Sequence, residues 1–412
     1  MRRYTILLYN MSRSIFDLFS LWKTTDPKSK MLIHGQGVIL FRTSGLTSFI
    51  ITTKNHENSD GLCVHFLQNR IYVSRISTSE EYFDSGNHSG IVQDPGAYYW
   101  FSLDSQNQTF YAGVGEARIE NASYSWRFDF FGDHKAAEAN KRFLESLHYI
   151  KYDSNITPMR ILKFPVQYTK IPLLVRTMDE LTMMDVADQR YMPLEHLSLV
   201  SQNLYHTIGG KRFVLDDDDF PDFSKAIEYS IATEGCWCNT RIKQKSTEFN
   251  PDHPNILETY LRITMGTNNG DSPGQMLVME IWPKGGHYSH IHSHANCEAI
   301  IRVLHGSIQV SLYPFLSGQK HELDPFGIVD FYQGDVTWIS PTMNQVHRLR
   351  NNSLENTCIT IQCYEYDEND TRHYDYFDYI DDDGKIQQYE PDSDCDFVVF
   401  KQIIRNEWEN RS

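Results

Sequence analysis

Histidines recur at every second position in one short stretch of the chain, at His290, His292 and His294. Successive side chains of a β-strand point to opposite faces, so a strand here would place its histidines on one face. Two imidazoles from one strand and a third from a neighbouring strand can bind one transition metal. A further histidine, His347, follows a Gly-Asp turn, a strand-like run and a proline-containing loop. The spacing therefore predicts a metal centre that combines His347 with members of the alternating row.

The residues around these histidines resemble the two sequence motifs of the cupin superfamily. The matching residues, with one misfit in the first motif and one extra residue in the second, are Gly286, His292, His294, Glu298, Gly306, Gly334, Pro341, His347 and Asn351. Counted back from Gly306, the glutamate position of the first motif falls on Ala299, not on Glu298. The resemblance therefore implies a three-histidine site of His292, His294 and His347. Three neutral ligands would leave three positions open on Fe(II), and a thiolate would balance its charge.

From about Ser198 onward the chain resembles one cupin family, the cysteine dioxygenases. The three histidines match the iron ligands of that family, and the run HRLRNN from His347 is similar to its H-R-V-x-N motif. Tyr260-Leu-Arg262 resembles its Y-x-R motif, and Tyr364 stands at the spacing of its active-site tyrosine. The resemblance implies an Fe(II) enzyme that adds both atoms of O2 to a small thiol and gives a sulfinic acid.

The resemblance also implies roles for the other matching residues. Arg262 would hold a substrate carboxylate through its two-pronged guanidinium, which makes cysteine the first candidate substrate. Tyr260 would line the substrate pocket, and the Tyr364 hydroxyl would donate to bound dioxygen or to the substrate. Gln362 stands at the position of the family's histidine near that tyrosine, from which it could form a hydrogen bond with Tyr364.

The chain departs from the family pattern at three positions. Ala299 replaces the cysteine that cross-links to the tyrosine, so no thioether can form there; Gln362 replaces a histidine, and Thr360 replaces a serine. Two alternatives therefore stay open. One is another cupin metalloenzyme, with Glu298 as a fourth ligand and manganese as the metal. The other is a binding protein without catalysis, since cupins host many functions.

The elements that must position these residues indicate a mainly β protein of 412 residues. Short runs rich in Val, Ile, Phe and Tyr, separated by polar turns, predict a β-sandwich over 31–150, preceded by an extension over 1–30. A helix is expected over 133–150, and 151–197 is expected to be a connector. Helices over 197–206 and 222–234 precede strands from 258 onward, which predict a jelly-roll barrel within a cupin domain over 198–412.

The first of these domains has a resemblance of its own. The segment GAYYWFSLDSQNQTFYAGVGEARIENASYSWRFD is similar to the β-sandwich modules named after farnesoic acid O-methyltransferase. Those modules look like interaction or ligand-binding domains. The resemblance implies that a protein or a small ligand is the partner of the sandwich.

The composition of the chain limits the partners and the cellular compartment that we expect. The net charge of −16 disfavours nucleic acid and anionic membranes, which both attract basic surfaces. The seven cysteines, an odd number, suit free thiols in a reducing compartment. No apolar stretch reaches the roughly 18 residues that a membrane helix needs. The apolar run Tyr4–Tyr9 is shorter than the core of a secretion signal, so we expect a cytoplasmic protein.

Overall fold

The chain forms two compact units in a computed structural model, Met1–Thr169 and Lys170–Ser412. The structure describes residues 23–24, 30–43, 45, 47–56, 59–67, 70–78, 81–86, 97–128, 130, 132–162, 165–166, 174–188, 191–249, 253–267, 276–294, 297–313, 316, 324–340, 343–366, 376–390 and 392–411. Most of the predicted N-terminal extension and Pro341 of the second cupin motif lie outside these residues.

The first unit is built from antiparallel strands. They are β1 (Lys23–Thr24), β2 (Gln36–Thr43), β3 (Thr47–Thr52), β4 (Gly61–Leu67), β5 (Arg70–Arg75), β6 (Glu81–Asp84), β7 (Tyr99–Asp104), β8 (Thr109–Val114), β9 (Ala122–Arg127), β10 (Tyr149–Tyr152) and β11 (Ile156–Leu162). One sheet has the order β1-β11-β2-β7-β8-β9, and the other has the order β10-β3-β4-β5-β6.

Alternation along β2 shows why these strands form layers. Ile39 and Phe41 enter the main apolar core, whereas Val38 and Leu40 pack with Trp100 in a second cluster. The main core draws buried residues from both sheets and is rich in aromatic rings that meet edge to face. The predicted β-sandwich is confirmed.

The helix predicted over 133–150 is shorter than expected. Helix α1 spans His134–Glu145, and its N-cap Asp133 accepts hydrogen bonds from the backbone N–H groups of Lys135 and Ala136. The chain then turns and enters β10, which pairs with β3. The segment expected to be a connector, 151–197, contributes strands to both units: β11 pairs with β2 in the first. Its residues Ile156, Met159 and Ile161 are buried in the sandwich core, which a plain linker would not provide.

The second unit contains the remaining named strands. They are β12 (Leu174–Arg176), β13 (Tyr191–Pro193), β14 (Leu261–Thr267), β15 (Met276–Trp282), β16 (Ile291–His292), β17 (Glu298–His305), β18 (Ser307–Leu312), β19 (Gly327–Tyr332), β20 (Val336–Ile339), β21 (His347–Arg350), β22 (Cys358–Glu365), β23 (Phe377–Ile380), β24 (Ile386–Tyr389) and β25 (Cys395–Asp396). Two six-stranded sheets have the orders β20-β17-β22-β15-β14-β25 and β19-β18-β21-β16-β23-β24, which we call the front sheet and the back sheet.

The chain alternates between the front and back sheets, as a jelly roll requires. Strand β15 lies in the front sheet, β16 in the back, β17 in the front and β18 in the back, and the same alternation recurs from β20 to β22. Residues from both sheets, among them Trp282 and Val303 in front and Val310 and Leu349 behind, pack into one core between them. The predicted fold class, a sandwich followed by a cupin-type jelly roll, is confirmed.

Helices cover part of the second unit. They are α2 (Met183–Asp188), α3 (Leu199–Ile208), α4 (Phe223–Ala232), α5 (Trp237–Phe249) and α6 (Phe397–Glu409). The two predicted helices correspond to α3 and α4, whereas α2, α5 and α6 were not predicted. Among the described residues, no helix is both long enough and apolar enough to cross a membrane.

A tight turn at Gly306 joins β17 to β18 and so moves the chain from the front sheet to the back sheet. Its φ of +73° lies in the left-handed region, and an added Cβ would stand 2.6 Å from the carbonyl oxygen of Thr357. Glycine is therefore required by both conformation and space. The last position of the first cupin motif thus has a structural reason.

Candidate metal centre

His292, His294 and His347 meet between the two sheets of the second unit. His292 ends the short strand β16 and stands directly opposite His347, the first residue of β21. His294 follows two residues later, with its ring centroid 4.7 Å from that of His292 and 4.5 Å from that of His347. One ligand nitrogen from each ring lies within 4.8 Å of the others. The sequence-predicted ligands are therefore brought together.

Hydrogen bonds determine which nitrogen of each ring can bind a metal. Nδ1 donates to the carbonyl oxygen of His290 in His292 (2.9 Å), of Gln345 in His294 (3.0 Å) and of Asn344 in His347 (3.1 Å). A carbonyl oxygen only accepts, so each Nδ1 carries the proton and each Nε2 keeps a lone pair. The Nε2 lone pairs of the three histidines are therefore available to bind one metal ion.

Burial keeps these imidazoles neutral. It lowers the pKa of His292 to about 4 and the pKa values of His294 and His347 well below their usual range. The neighbouring rings His347 and His292 lower the pKa of His294 further, and His292 does the same to His347. The Arg262 guanidinium also lowers the pKa of His292 and His294, so its charge is felt at this site. Three neutral nitrogen donors fit a divalent transition metal such as Fe(II).

His290, the first member of the alternating row, belongs to a different cluster. Strand β16 covers only Ile291–His292, so the strict alternation that would align all three histidines is interrupted before it. The Nε2 of His290 lies 3.8 Å from a carboxylate oxygen of Glu258, and Asp382 completes the cluster. The structure thus separates His290 from the ligands that the cupin motif selects.

Glu298, the alternative fourth ligand, faces away from the histidines. Ala299, the next residue, is the one that points inward and pairs with Tyr364 across the front sheet. The Glu298 carboxylate instead accepts hydrogen bonds from the hydroxyls of Ser198 and Ser201 at the start of helix α3. The carboxylate therefore anchors the start of helix α3.

We expect Glu298→Gln to leave the metal content unchanged and to lower the free energy of unfolding by about 1 kcal/mol, because the two hydrogen bonds from Ser198 and Ser201 lose their charged acceptor. Metal analysis and urea unfolding would measure both quantities. The exposed Glu195→Gln is the matched control in the same unit and should change neither. Loss of metal from Glu298→Gln alone would restore the four-ligand alternative.

A row of buried polar side chains crosses the front sheet and faces the histidines. Arg262 on β14 lies opposite Glu280 on β15, with Nε and Oε1 3.7 Å apart. The side-chain amide of Gln362 donates to Glu280, and the Tyr364 hydroxyl donates to Gln362. The Tyr364 ring in turn stacks on His294, with centroids 6.1 Å apart. We call these four residues the polar row.

The polar row changes two expectations from the sequence. Tyr364 was expected to donate to dioxygen or substrate, but its hydroxyl donates to Gln362, which leaves the Tyr364 oxygen as an acceptor. Arg262 was expected to offer its guanidinium to a substrate carboxylate, but a carboxylate of the protein itself, Glu280, lies beside it. Burial raises the pKa of Glu280 to about 7, although Arg262 and Lys245 act in the opposite direction.

The remaining predicted residues lie close by. Tyr260 stacks on the indole of Trp282, with ring centroids 4.2 Å apart and planes 16° from parallel. Trp282 donates to the hydroxyl of Thr360 at 3.3 Å. Cys297 and Ala299 belong to the same buried cluster as Tyr364, where Ala299 offers no sulfur for a cross-link.

Two residues of this site were missed from the sequence, Glu280 and Phe377. Glu280 had a visible signal, because it is the one charged residue in the apolar strand MLVMEIW and buried carboxylates are rare without partners. Phe377 lies 5.0 Å from the His294 ring and 6.4 Å from the Tyr364 ring, measured between centroids. It comes from an acidic, tyrosine-rich segment that offered no pattern to connect it with the histidines.

No family model matches the chain. Among solved structures, it is similar to an uncharacterized conserved protein with a double-stranded β-helix domain from Klebsiella pneumoniae, at 15% identity over 26% of this chain and 76% of that chain (TM-score 0.20). It is also similar to the Cupin_2 domain of an XRE family transcriptional regulator from Enterobacter cloacae, at 11% identity over 26% and 98% (TM-score 0.20). An oxalate oxidase in complex with a substrate analogue, glycolate, matches at 12% over 28% and 54% (TM-score 0.21). At such TM-scores the matches carry no argument, and the jelly-roll assignment rests on the strand order of the second unit itself.

Proposed function

We propose that the second unit is a non-haem Fe(II)-dependent thiol dioxygenase, which converts a small thiol and O2 into a sulfinic acid. The observation that carries the proposal is the set of three neutral imidazoles, each with Nδ1 tied to a carbonyl and Nε2 free for one metal. Bound there, Fe(II) would supply the sites at which a thiolate and O2 are brought together.

The residues around the histidines suit that chemistry. Phe377 and Tyr364 pack against the imidazoles and exclude bulk water from them. An apolar cavity between the sheets reaches His347 and is lined by residues that include Ile301, Val303 and Leu349. Asp335, Thr337 and Asn344 also border the cavity, but most of its lining is apolar, which suits a nonpolar co-substrate such as O2.

The side chains of the polar row would orient a substrate beside the metal. Arg262 provides a positive charge, Glu280 provides a carboxyl group whose pKa burial raises to about 7, and the Tyr364 oxygen provides an acceptor. The prediction of cysteine as substrate depended on an Arg262 that is free to bind a carboxylate. Thiol oxidation and the identity of the thiol are therefore separate proposals, and the second is taken up below.

We expect the full chain, reconstituted anaerobically with Fe(II), to consume O2 when a small thiol is added and to yield a product heavier by two oxygen atoms. An oxygen electrode and mass spectrometry with ¹⁸O2 across a panel of thiols would measure both. The metal-free chain is the control and should consume no O2. Bound iron without thiol-dependent O2 uptake from any thiol would contradict the proposal and favour a binding protein built on a cupin scaffold.

Two further proposals concern the setting of this activity. All seven cysteines are free thiols, which suits a reducing compartment such as the cytoplasm. The sandwich of the first unit is proposed to bind a protein or small ligand, on the resemblance of its sequence alone. Neither proposal affects the chemistry at the histidines.

A further inference from the structure

Glu280 occupies the place where a substrate carboxylate would be expected, beside Arg262. Both side chains are almost fully buried, with 5% and 2% of their surfaces exposed, and they stand opposite each other on adjacent strands. Buried charges are stable in proteins mainly when paired. The positive charge of Arg262 is therefore already compensated by the protein before any substrate arrives.

Hydrogen bonds hold Glu280 in this position. Its Oε2 accepts from the Gln362 amide, whose own oxygen accepts from the Tyr364 hydroxyl. All these donors point along the row towards Glu280. Within the row, the Glu280 carboxylate and the Tyr364 oxygen can each accept a further hydrogen bond, and the cation of the row, Arg262, lies beside Glu280. A ligand amine beside this row can therefore donate to these two acceptors.

We propose that the site takes a small aminothiol that has no carboxylate, such as 2-aminoethanethiol, and that Glu280 is the residue that determines this specificity. The inference rests on the proposed thiol chemistry and names its substrate class. The Glu280 carboxylate already lies beside Arg262, where the carboxylate of an amino-acid thiol would otherwise bind. A second carboxylate would share one guanidinium with Glu280, and two carboxylates that share a site cannot both ionise without cost. An amine meets the Glu280 and Tyr364 acceptors instead.

The test measures binding, not turnover. The full chain is loaded with Fe(II) and titrated without O2 in a calorimeter with 2-aminoethanethiol, cysteine and 3-mercaptopropionic acid. We expect 2-aminoethanethiol to bind at least about tenfold more tightly than the two acids, the factor expected from one charge-assisted hydrogen bond. Tighter binding of either acid would overturn the inference.

Glu280→Gln should reverse this preference, because it releases Arg262 for a substrate carboxylate. Both acids should gain about tenfold in affinity, and 2-aminoethanethiol should lose a similar factor. The matched control is Glu355→Gln, which removes an exposed carboxylate of the same unit and should leave all three affinities unchanged. Unchanged affinities for Glu280→Gln would contradict the role of Glu280.

The outcomes separate this inference from the proposed function. If an acid binds best and is oxidised, the thiol dioxygenase stands and only the substrate class is wrong. If iron is held and no thiol binds or is consumed, the proposed function itself fails. Should Glu280→Gln not fold, the order of affinities in the unmodified protein still decides the substrate class.

Discussion

His347→Ala is expected to remove iron from the protein and to reduce thiol-dependent O2 uptake below detection. His347 supplies one of the three nitrogen ligands and lies directly opposite His292. Its side chain is 3% exposed, so a water molecule from solvent would not easily take the place of the imidazole as a ligand. Loss of groups that merely support ligands costs about 10- to 100-fold in metal affinity, so loss of a ligand should cost more. Metal analysis after reconstitution and an oxygen electrode would measure the two effects.

Two histidines of the same unit serve as controls for that prediction. His305 ends strand β17 outside the cluster of ligands, so His305→Ala removes an imidazole without touching the metal centre. His290→Ala is the stricter control, because His290 lies two residues from His292 yet contacts Glu258. Both variants should keep their iron. If His347→Ala also kept its iron, the three-histidine centre would be wrong.

The sequence was sufficient to identify the histidines because their signal is local. The two-residue period indicates a metal centre in the row that includes His292 and His294, and the resemblance to the two cupin motifs selects these two histidines together with His347. Counting back from Gly306 put Ala299 at the glutamate position of the motif, while Glu298 stayed open as a fourth ligand. In the structure, one residue along the strand changes the face, so Ala299 points inward and Glu298 points to helix α3.

The charge of the pocket could not be predicted in the same way, because it depends on pairs that are distant in the chain. The sequence indicated that Arg262 is available to a substrate carboxylate. In the structure β14 pairs with β15, and Glu280 on β15 lies opposite Arg262. The family resemblance implied a hydrogen bond between Tyr364 and Gln362, but its direction depends on Glu280, which Gln362 also contacts. A single charged residue inside an apolar strand was the only local sign.

The C-terminal region shows the same limitation for the fold. Helix α6 and strands β23 to β25 were not predicted, since their residues are polar and acidic and lack a clear period. Strand β25 is held by a contact that no local pattern shows: Asp394, next to it, meets Lys245 and Arg241 of helix α5, about 150 residues earlier. Long-range ion pairs of this kind give stability without a sequence signature.

Asp394→Ala is expected to lower the free energy of unfolding by about 3–5 kcal/mol, because it leaves a buried charge without its partner. The Asp394 carboxylate is 1% exposed and lies 2.7 Å from the Lys245 ammonium, which is itself 4% exposed. It also accepts from the backbone N–H of Arg262 at 2.7 Å, and so ties the strand of the polar row to helix α5. Equilibrium urea unfolding of the full chain would measure the loss.

Asp392→Ala is the matched control for this variant, because Asp392 is an exposed aspartate only two residues away. It should change the free energy of unfolding by no more than about 0.5 kcal/mol, as is usual at the surface. Burial lowers the pKa of Lys245, and the Asp394 carboxylate opposes that shift. In Asp394→Ala, Lys245 should therefore lose its proton at a lower pH, and the defect should shrink as the pH rises. Equal losses in the two variants at every pH would show that the ion pair does not hold the front sheet to helix α5.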